Sequence, residues 1–227
     1  MTGVTTTVAS GPRASRGRID KRQAILDAAF TVFAREGYAN ACVKEIAAEA
    51  KVAKPTVYNH LSDKANLFRN AIEVAADTAQ TENLAVIEQL TEPGDDLQAA
   101  LTDTGLKLLR CYASDRSWAL RRLLYAEVTR FPDLLETVRG SGTNRATEAL
   151  ADRFARLTLG GRLHTTDPTQ AAEQFIALLT GPAEARSKFG TAQLSEDALR
   201  DIATGAVRTF LMAFGRASTE AEGAATR

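Results

Sequence analysis

The sequence predicts an all-α protein in which a small N-terminal helix-turn-helix domain is joined by a long helix to a larger helical body. Apolar residues recur at helical spacing through most of the 227 residues, and no stretch has a persuasive strand pattern. One stretch, VKEIAAEAKVAKPTVYNH (43–60), contains two brief helical segments separated by three residues. We expect about nine helices in all.

Composition describes an ordinary globular chain with a basic N-terminal end. The chain is 44% apolar and 25% charged, and it lacks an apolar run long enough for a transmembrane helix. Without a secretory signal at its N-terminus, we expect a cytoplasmic protein with no membrane partner. Residues 1–70 hold 11 Lys and Arg against 6 Asp and Glu. This excess favours nucleic-acid binding through the N-terminal end, although chance explains an excess of this size as well.

Cysteines and histidines predict neither a metal site nor a cofactor. Cys42 and Cys111 are far apart in the sequence, so they fit neither a disulfide framework nor a metal cluster. His164 lies in a loop without a second histidine nearby, where a lone imidazole is usually solvated.

The first helix follows a basic arm. Residues 1–18 are rich in Thr, Ser, Gly and Arg and lack periodic apolar residues, so we predict disorder. Arginines of this arm, Arg18 among them, could reach into a DNA minor groove, and a solvated tail explains them equally well. Helix one is predicted from Lys21 to Glu36, where Gly37 ends it.

The next two helices form the predicted helix-turn-helix. Residues 45–50 are good helix formers, and 51–53 form a turn. Residues 54–60 resume the helix with Pro55 in the first turn, where its missing N–H costs nothing. In such a pair the second helix enters the DNA major groove, so we predict a DNA-binding domain over residues 19–66.

A long helix is predicted from Ser62 or Asp63 to about Leu90, and we expect it to act as a lever between two domains. The body spans residues 67–216, and a flexible tail covers 217–227. Helices of the body are predicted over 96–112, from 114 to 131, over 132–154 with an interruption at Gly140-Ser141-Gly142, from 167 to a break or kink at Gly181-Pro182, and from 195 to 214. The two C-terminal helices, about 168–181 and 195–214, are strongly apolar and predict a homodimer interface as well as core.

The chain also resembles a known family, the TetR-type bacterial transcriptional regulators. The similarity covers RQAILDAAFTVFAREGY (22–38), VKEIAAEAKVAKPTVYNHL (43–61) and DKANLF (63–68). Two later stretches, LRRLLYAEVTRFPDL (120–134) and DPTQAAEQFIALLTGP (167–182), are similar to the branch with AefR-like C-terminal domains. The resemblance implies an all-helical homodimer, two helix-turn-helix heads on a palindromic operator, and a ligand cavity in each body.

The resemblance also implies which residues contact DNA. Positions that touch the DNA backbone in this family are matched by Thr56, Tyr58, His60 and Lys64. Lys54, Pro55 and Asn59 match positions that read base edges in this family. Lys44 matches a frequently basic position on the preceding helix. Hydroxyl and ammonium donors suit phosphate oxygens, and an Asn amide can bond adenine N6 and N7 together. Asn59 is explained equally well as a simple exposed polar residue. His60 is explained equally well as a residue that packs beneath the backbone.

Three residues depart from the family pattern. Lys51 stands where the turn usually has Gly, so a positive φ there would cost roughly 1 kcal/mol. Ala41 and Ala53 stand where Thr and Ser usually cap the two helices, and each lost cap costs roughly 1 kcal/mol. Asn40 is a candidate substitute cap.

Candidate ligand-binding residues lie on the helices where the family lines its pocket. Tyr112, Trp118 and Tyr125 each join an apolar body to a polar tip, although ordinary core packing explains such residues more often. Arg121 and Arg122 could bind a charged group or lie on a solvated face.

The predicted function is ligand-responsive transcriptional regulation, with a double-stranded DNA operator and a small-molecule effector as partners. One alternative is a helical enzyme acting on a small hydrophobic molecule, for which no coupled nucleophile–base pair or ligand set is recognisable. The other is a protein-interaction adaptor without DNA binding, which leaves the basic N-terminal end unexplained.

Overall fold

The structure is a computed structural model that describes residues 13–90, 96–138 and 144–216, with the side chains of 21–90, 96–135 and 145–216. Within these ranges the chain forms ten α-helices and no strand beyond an isolated bridge between Leu163 and Gly215. The helices are α1 Arg13–Asn40, α2 Val43–Glu49, α3 Lys54–His60, α4 Lys64–Glu88, α5 Leu97–Tyr112, α6 Asp115–Glu127, α7 Pro132–Val138, α8 Asn144–Leu159, α9 Pro168–Arg186 and α10 Glu196–Phe214. None of these helices has the length and apolar character needed to cross a membrane.

The predicted all-α class is confirmed, and the chain divides into two compact units, Met1–Ala75 and Ala76–Arg227. The division falls within α4, later than the predicted boundary after residue 66. The first turns of α4 belong to the first unit because Leu67 and Phe68 are buried there. Asp63 caps α4 as predicted, since its Oδ1 accepts a hydrogen bond from the Asn66 N–H at 2.8 Å.

Helix α1 is longer than the segment predicted from Lys21 to Glu36. Its backbone is already helical at Arg13, so residues 13–18 of the predicted disordered arm are helical, whereas residues 1–12 and the tail 217–227 lie outside the described residues. At the other end, Gly37 interrupts the helix with φ 75° and ψ 163°. A left-handed φ favours glycine, which agrees with the predicted helix end at this residue.

An aromatic cluster forms the centre of the first unit. Phe33 of α1 lies edge-on to Phe68 of α4 with ring centroids 5.0 Å apart, and it stacks on Tyr38 at 5.9 Å. Offset and edge-to-face ring pairs stabilise a core beyond simple area burial. The cluster therefore packs α1 against the start of α4. Ile46 of α2 and Val57 of α3 are also buried.

The second unit has a larger core built on three fully buried phenylalanines. Phe154 of α8, Phe175 of α9 and Phe210 of α10 have ring centroids 4.9 to 5.6 Å apart. Helix α5 packs against the same cluster, and Gly105 permits close approach because an added Cβ would lie 3.2 Å from Leu179 Cδ2.

Two helix predictions in the body need correction. The helix predicted over 132–154, with an interruption at Gly140-Ser141-Gly142, is two separate helices, α7 and α8, so the described residues form ten helices rather than about nine. Helix α9 does not end at Gly181-Pro182 but continues to Arg186. Pro182 removes one backbone hydrogen bond, but Leu179 and Ala183 on either side are buried in the core, and this packing holds the helix together.

Candidate DNA-binding surface and ligand cavity

Helices α2 and α3 form a helix-turn-helix with a tight hydrogen-bonded turn. The Val52 N–H donates to the Ala47 carbonyl at 2.9 Å, and the Ala50 N–H donates to the Ile46 carbonyl at the same distance. Ile46 and Val57 bury the inner faces of the two helices. The opposite face of α3 is therefore left to solvent.

The predicted DNA-contacting residues lie mostly on this outer surface. Exposed side chains are those of Lys44, Lys54, Pro55, Tyr58 and Asn59, and half-buried ones are those of Thr56 and His60. Tyr58 is 45% exposed, and Lys54 Nζ lies 5.8 Å from the centre of its ring. The surface thus presents two ammonium groups, two hydroxyls and one amide, which are donors suited to phosphate oxygens and base edges. The Arg18 side chain lies outside the described residues.

Lys64 has partners within the protein. Its Nζ donates to the Ala39 carbonyl at 3.0 Å and lies 4.9 Å from the centre of the Tyr38 ring. This carbonyl belongs to the last turn of α1, where a cation interacts favourably with the helix dipole. Lys64 therefore fastens the start of α4 to the end of α1, a role that the sequence did not indicate.

The structure has the predicted positive φ at Lys51 and lacks side-chain caps on α2 and α3, although the N-cap of α2 is not the predicted residue. Lys51 has φ 54°, so a non-glycine residue adopts the left-handed conformation. Ala53 is the N-cap of α3 and supplies no side-chain hydrogen bond. The N-cap of α2 is Cys42 rather than Ala41, also without a side-chain bond. Asn40 does not replace it, because its amide donates to the Glu36 carbonyl of α1.

We expect the Ala53→Ser variant to raise the free energy of unfolding by roughly 1 kcal/mol, because a serine hydroxyl can accept from the Thr56 N–H in the first turn of α3, which otherwise bonds only the Ala53 carbonyl, at 2.8 Å. Urea denaturation followed by circular dichroism measures the change. Ala48→Ser, at an exposed position inside α2, is the matched control and should be slightly destabilising. A similar effect in both variants would contradict the cap assignment.

The second unit contains a partly open cavity, whose empty space is about 450 Å³ when open solvent at its mouth is included. We call it the ligand cavity. Its lining comes from α4, α5, α8 and α9 and consists of Asn83, Ile87, Leu108, Leu109, Tyr112, Ala146, Leu150, Ile176, Leu179 and Thr180. A mainly apolar wall with a few polar groups is typical of small-molecule sites.

Of the three predicted ligand residues, the structure places only Tyr112 in this lining. Trp118 is buried beside it, with the rings edge-to-face and their centroids 5.4 Å apart. Tyr125 is 62% exposed. Sequence reasoning missed Asn83 and Thr180, whose only signal is that each lies one turn from an apolar lining residue.

The Tyr112 side chain also belongs to a polar cluster with Glu184 and Arg121. Its hydroxyl donates to Glu184 Oε1 at 2.9 Å, and the Arg121 guanidinium lies 3.7 Å from the Tyr112 ring centre and 3.9 Å from that of Trp118. Burial raises the pKa of the Tyr112 phenol and lowers the pKa of Arg121. Arg121 is therefore a structural cation between two rings rather than part of a solvated face. Among the described residues, no cluster of three or more His, Cys, Asp or Glu could hold a metal ion.

Comparison with known families covers both units. Residues 25–71 match the family model described as bacterial regulatory proteins, tetR family. Residues 99–216, more than half of the chain, match the C-terminal domain of the AefR-like transcriptional repressors.

Individual proteins agree with these models. The HTH-type transcriptional regulator HbdR of Aromatoleum sp. (strain CIB) is 32% identical over 78 residues, which are 34% of this chain and 34% of HbdR, so the chain matches about a third of that relative's length. A crystal structure from Mesorhizobium loti MAFF303099, assigned as a TetR-family transcriptional regulator, superposes with a TM-score of 0.82 at 28% identity, covering 88% of this chain and 98% of the other. The Flavonoid-responsive Regulator FrrA has a TM-score of 0.67 at 25% identity, covering 88% and 99%. The chain therefore belongs to the TetR family of bacterial transcriptional regulators, within the branch that carries an AefR-like C-terminal domain.

Proposed function

We propose that this regulator is a homodimeric repressor that acts in the cytoplasm, binds a palindromic operator through α3, and releases it when an effector fills the ligand cavity. The observation that carries the proposal is the donor-rich outer surface of α2 and α3, formed by Lys44, Lys54, Tyr58 and Asn59. Lysine and tyrosine donors position such a helix on phosphates, and Asn59 is the best placed to read a base edge.

Helix α4 supports the coupling between effector and DNA. It is one continuous helix whose first turns belong to the first unit and whose later residues Asn83 and Ile87 line the ligand cavity. An effector can shift the protein only by binding one state better than the other, so contact with α4 gives it that differential affinity. A change in the angle of α4 would alter the separation of two recognition helices, which must match half-sites about 34–36 Å apart.

The proposed dimer uses the outer faces of α9 and α10. Ala177 and Gly181 are exposed on α9, and Met212, on α10, is 80% exposed. Added Cβ atoms at Gly181 and Gly205 would meet nothing within 4 Å, so both faces are smooth and open. Small residues beside an exposed apolar side chain suit close packing of helices from two protomers.

Met212→Glu should shift the protein from dimer to monomer by at least about tenfold in dissociation constant, because four carboxylate oxygens would enter an apolar interface. Light scattering coupled to size exclusion measures the mass across a dilution series. Leu159→Glu is the matched control, since Leu159 is 89% exposed at the end of α8 and lies outside the proposed interface. A dimer unaffected by Met212→Glu would refute this interface.

A gel-shift titration with DNA from around the protein's own gene tests the proposed function. The proposal expects a retarded complex that outcompetes unrelated DNA and that weakens as salt is raised. Absent binding, or binding insensitive to salt, would favour a helical enzyme or an adaptor instead. A complex with unrelated DNA of equal affinity would contradict operator recognition.

A further inference from the structure

We infer that the effector is an uncharged, mainly apolar molecule that presents a hydroxyl or N–H donor to the hydroxyl oxygen of Tyr112 or Thr180 in the ligand cavity. This inference rests on the proposed function, because it names the chemical class that the same cavity takes. The inference depends on which hydrogen-bond donors and acceptors of the cavity wall have no partner within the protein.

The wall selects against charge. Seven of the ten lining residues are aliphatic, and the three polar ones, Asn83, Tyr112 and Thr180, are uncharged at neutral pH. A carboxylate or ammonium group enclosed by such a wall would lose its hydration without gaining an ion pair. The nearest charged groups of the cluster are already engaged, because Glu184 accepts from Tyr112 and Arg121 lies between two aromatic rings.

The two hydroxyls in the wall have already used their hydrogens. Tyr112 donates to Glu184 Oε1 at 2.9 Å, and Thr180 Oγ1 donates to the Ile176 carbonyl at 3.0 Å. A carbonyl or carboxylate oxygen can only accept, so the direction of each bond is fixed, and each hydroxyl has a single hydrogen. Burial also raises the pKa of Tyr112, which keeps its proton on the phenol.

Both hydroxyl oxygens can therefore only accept a hydrogen bond from a ligand. A ligand that places an ether or ester oxygen against either hydroxyl oxygen would bring two acceptors together and leave both unpaired, which costs binding energy. An alcohol, a phenol or an amide N–H satisfies one of them. Asn83 can donate or accept, so it adds affinity without reversing this preference.

The test measures direct binding without DNA, using para-tert-butylphenol, its methyl ether and para-tert-butylbenzoate. Binding is followed by the fluorescence of Trp118, the only tryptophan in the chain, which contacts Tyr112, and by thermal shift. We expect the phenol to bind about tenfold or more tightly than the ether and the benzoate. An ether that binds equally well, a benzoate that binds best, or no binding of the phenol up to its solubility limit would overturn the inference.

Two variants test whether the hydroxyls of Thr180 and Tyr112 cause the preference for phenol over ether. At least one of the variants Thr180→Val and Tyr112→Phe should reduce the preference for phenol over ether to roughly threefold or less. Thr169→Val, at an exposed position in the first turn of α9, should keep it. Circular dichroism confirms that the variants are folded, and a preference unchanged in both would overturn the assignment. A protein that binds the phenol but no DNA would refute the proposed function and leave this inference standing.

Discussion

Replacing Lys44 and Lys54 together with alanine should weaken operator binding by about tenfold or more and should flatten its salt dependence. Both side chains are exposed, Lys44 on α2 and Lys54 on α3. A dimer would lose four ammonium groups, and each phosphate contact adds roughly 0.9 to the slope of log affinity against log salt concentration. The slope should therefore fall in magnitude by about 3 to 4. Fluorescence anisotropy of a labelled operator at several salt concentrations measures both quantities.

The matched control removes the same charge from the other unit. Arg156 and Arg200 are exposed on α8 and α10, and an Arg156→Ala, Arg200→Ala double variant should leave affinity and slope nearly unchanged. Tyr58→Phe keeps the ring beside Lys54 but removes the hydroxyl, so it should weaken binding roughly three- to tenfold. Wild-type affinity and slope in the lysine variant would refute the assignment of this surface to DNA.

Gly190→Ala should destabilise the second unit by roughly 2–4 kcal/mol, combining overpacking with a disfavoured backbone conformation. Gly190 has φ 78°, and a Cβ there would lie 2.3 Å from Trp118 Cγ. The ring cannot move aside easily, because it is 5% exposed and is held by Tyr112 and Arg121. Urea denaturation monitored by Trp118 fluorescence measures the change.

Gly160→Ala is the control for this effect. A Cβ at Gly160 would make only ordinary contact, 3.4 Å from the Arg156 carbonyl, and its φ lies outside the left-handed region. We expect a change within about 0.5 kcal/mol, as for most surface substitutions. If both variants lost the same stability, the close packing of Gly190 on Trp118 would not be the cause of the loss in Gly190→Ala.

The helix-turn-helix could be predicted from the sequence because its signals are local. Helix propensity, Pro55 in the first turn of α3 and the three-residue turn lie within one short stretch, and the structure has helices at 43–49 and 54–60. The positive φ of Lys51 was also expected, but from the family resemblance, because the turn usually has Gly at this position.

Helix ends were less predictable where the surroundings decide between neighbours. The sequence points to Ala41 as the cap position of α2 and to Asn40 as a substitute, whereas the N-cap is Cys42 and the Asn40 amide bonds to α1. Likewise, Pro182 reads as a helix breaker, and only the burial of its neighbours shows why α9 continues.

The side-chain pairings around Tyr112 could not be predicted at all. Periodicity assigns residues to the face of a helix, but it does not say which faces meet. Tyr112 and Glu184 are 72 positions apart, and nothing in either segment indicates that they bond. Trp118 and Tyr125 lie on the same helix and are both aromatic, so the sequence favours neither as a ligand contact. In the structure Trp118 is buried beside Tyr112 and Tyr125 is exposed.

Hydroxyl-radical footprinting on the DNA that flanks the protein's own gene tests most directly whether α3 reads an operator. If α3 reads an operator, a dimer should protect two symmetric half-sites. Their centres should be separated by one helical turn of about 34–36 Å, or by a whole number of turns. Protection should disappear in the Lys44→Ala, Lys54→Ala variant at the same protein concentration. A single unpaired footprint, uniform protection of all DNA, or protection that survives in this variant would contradict it.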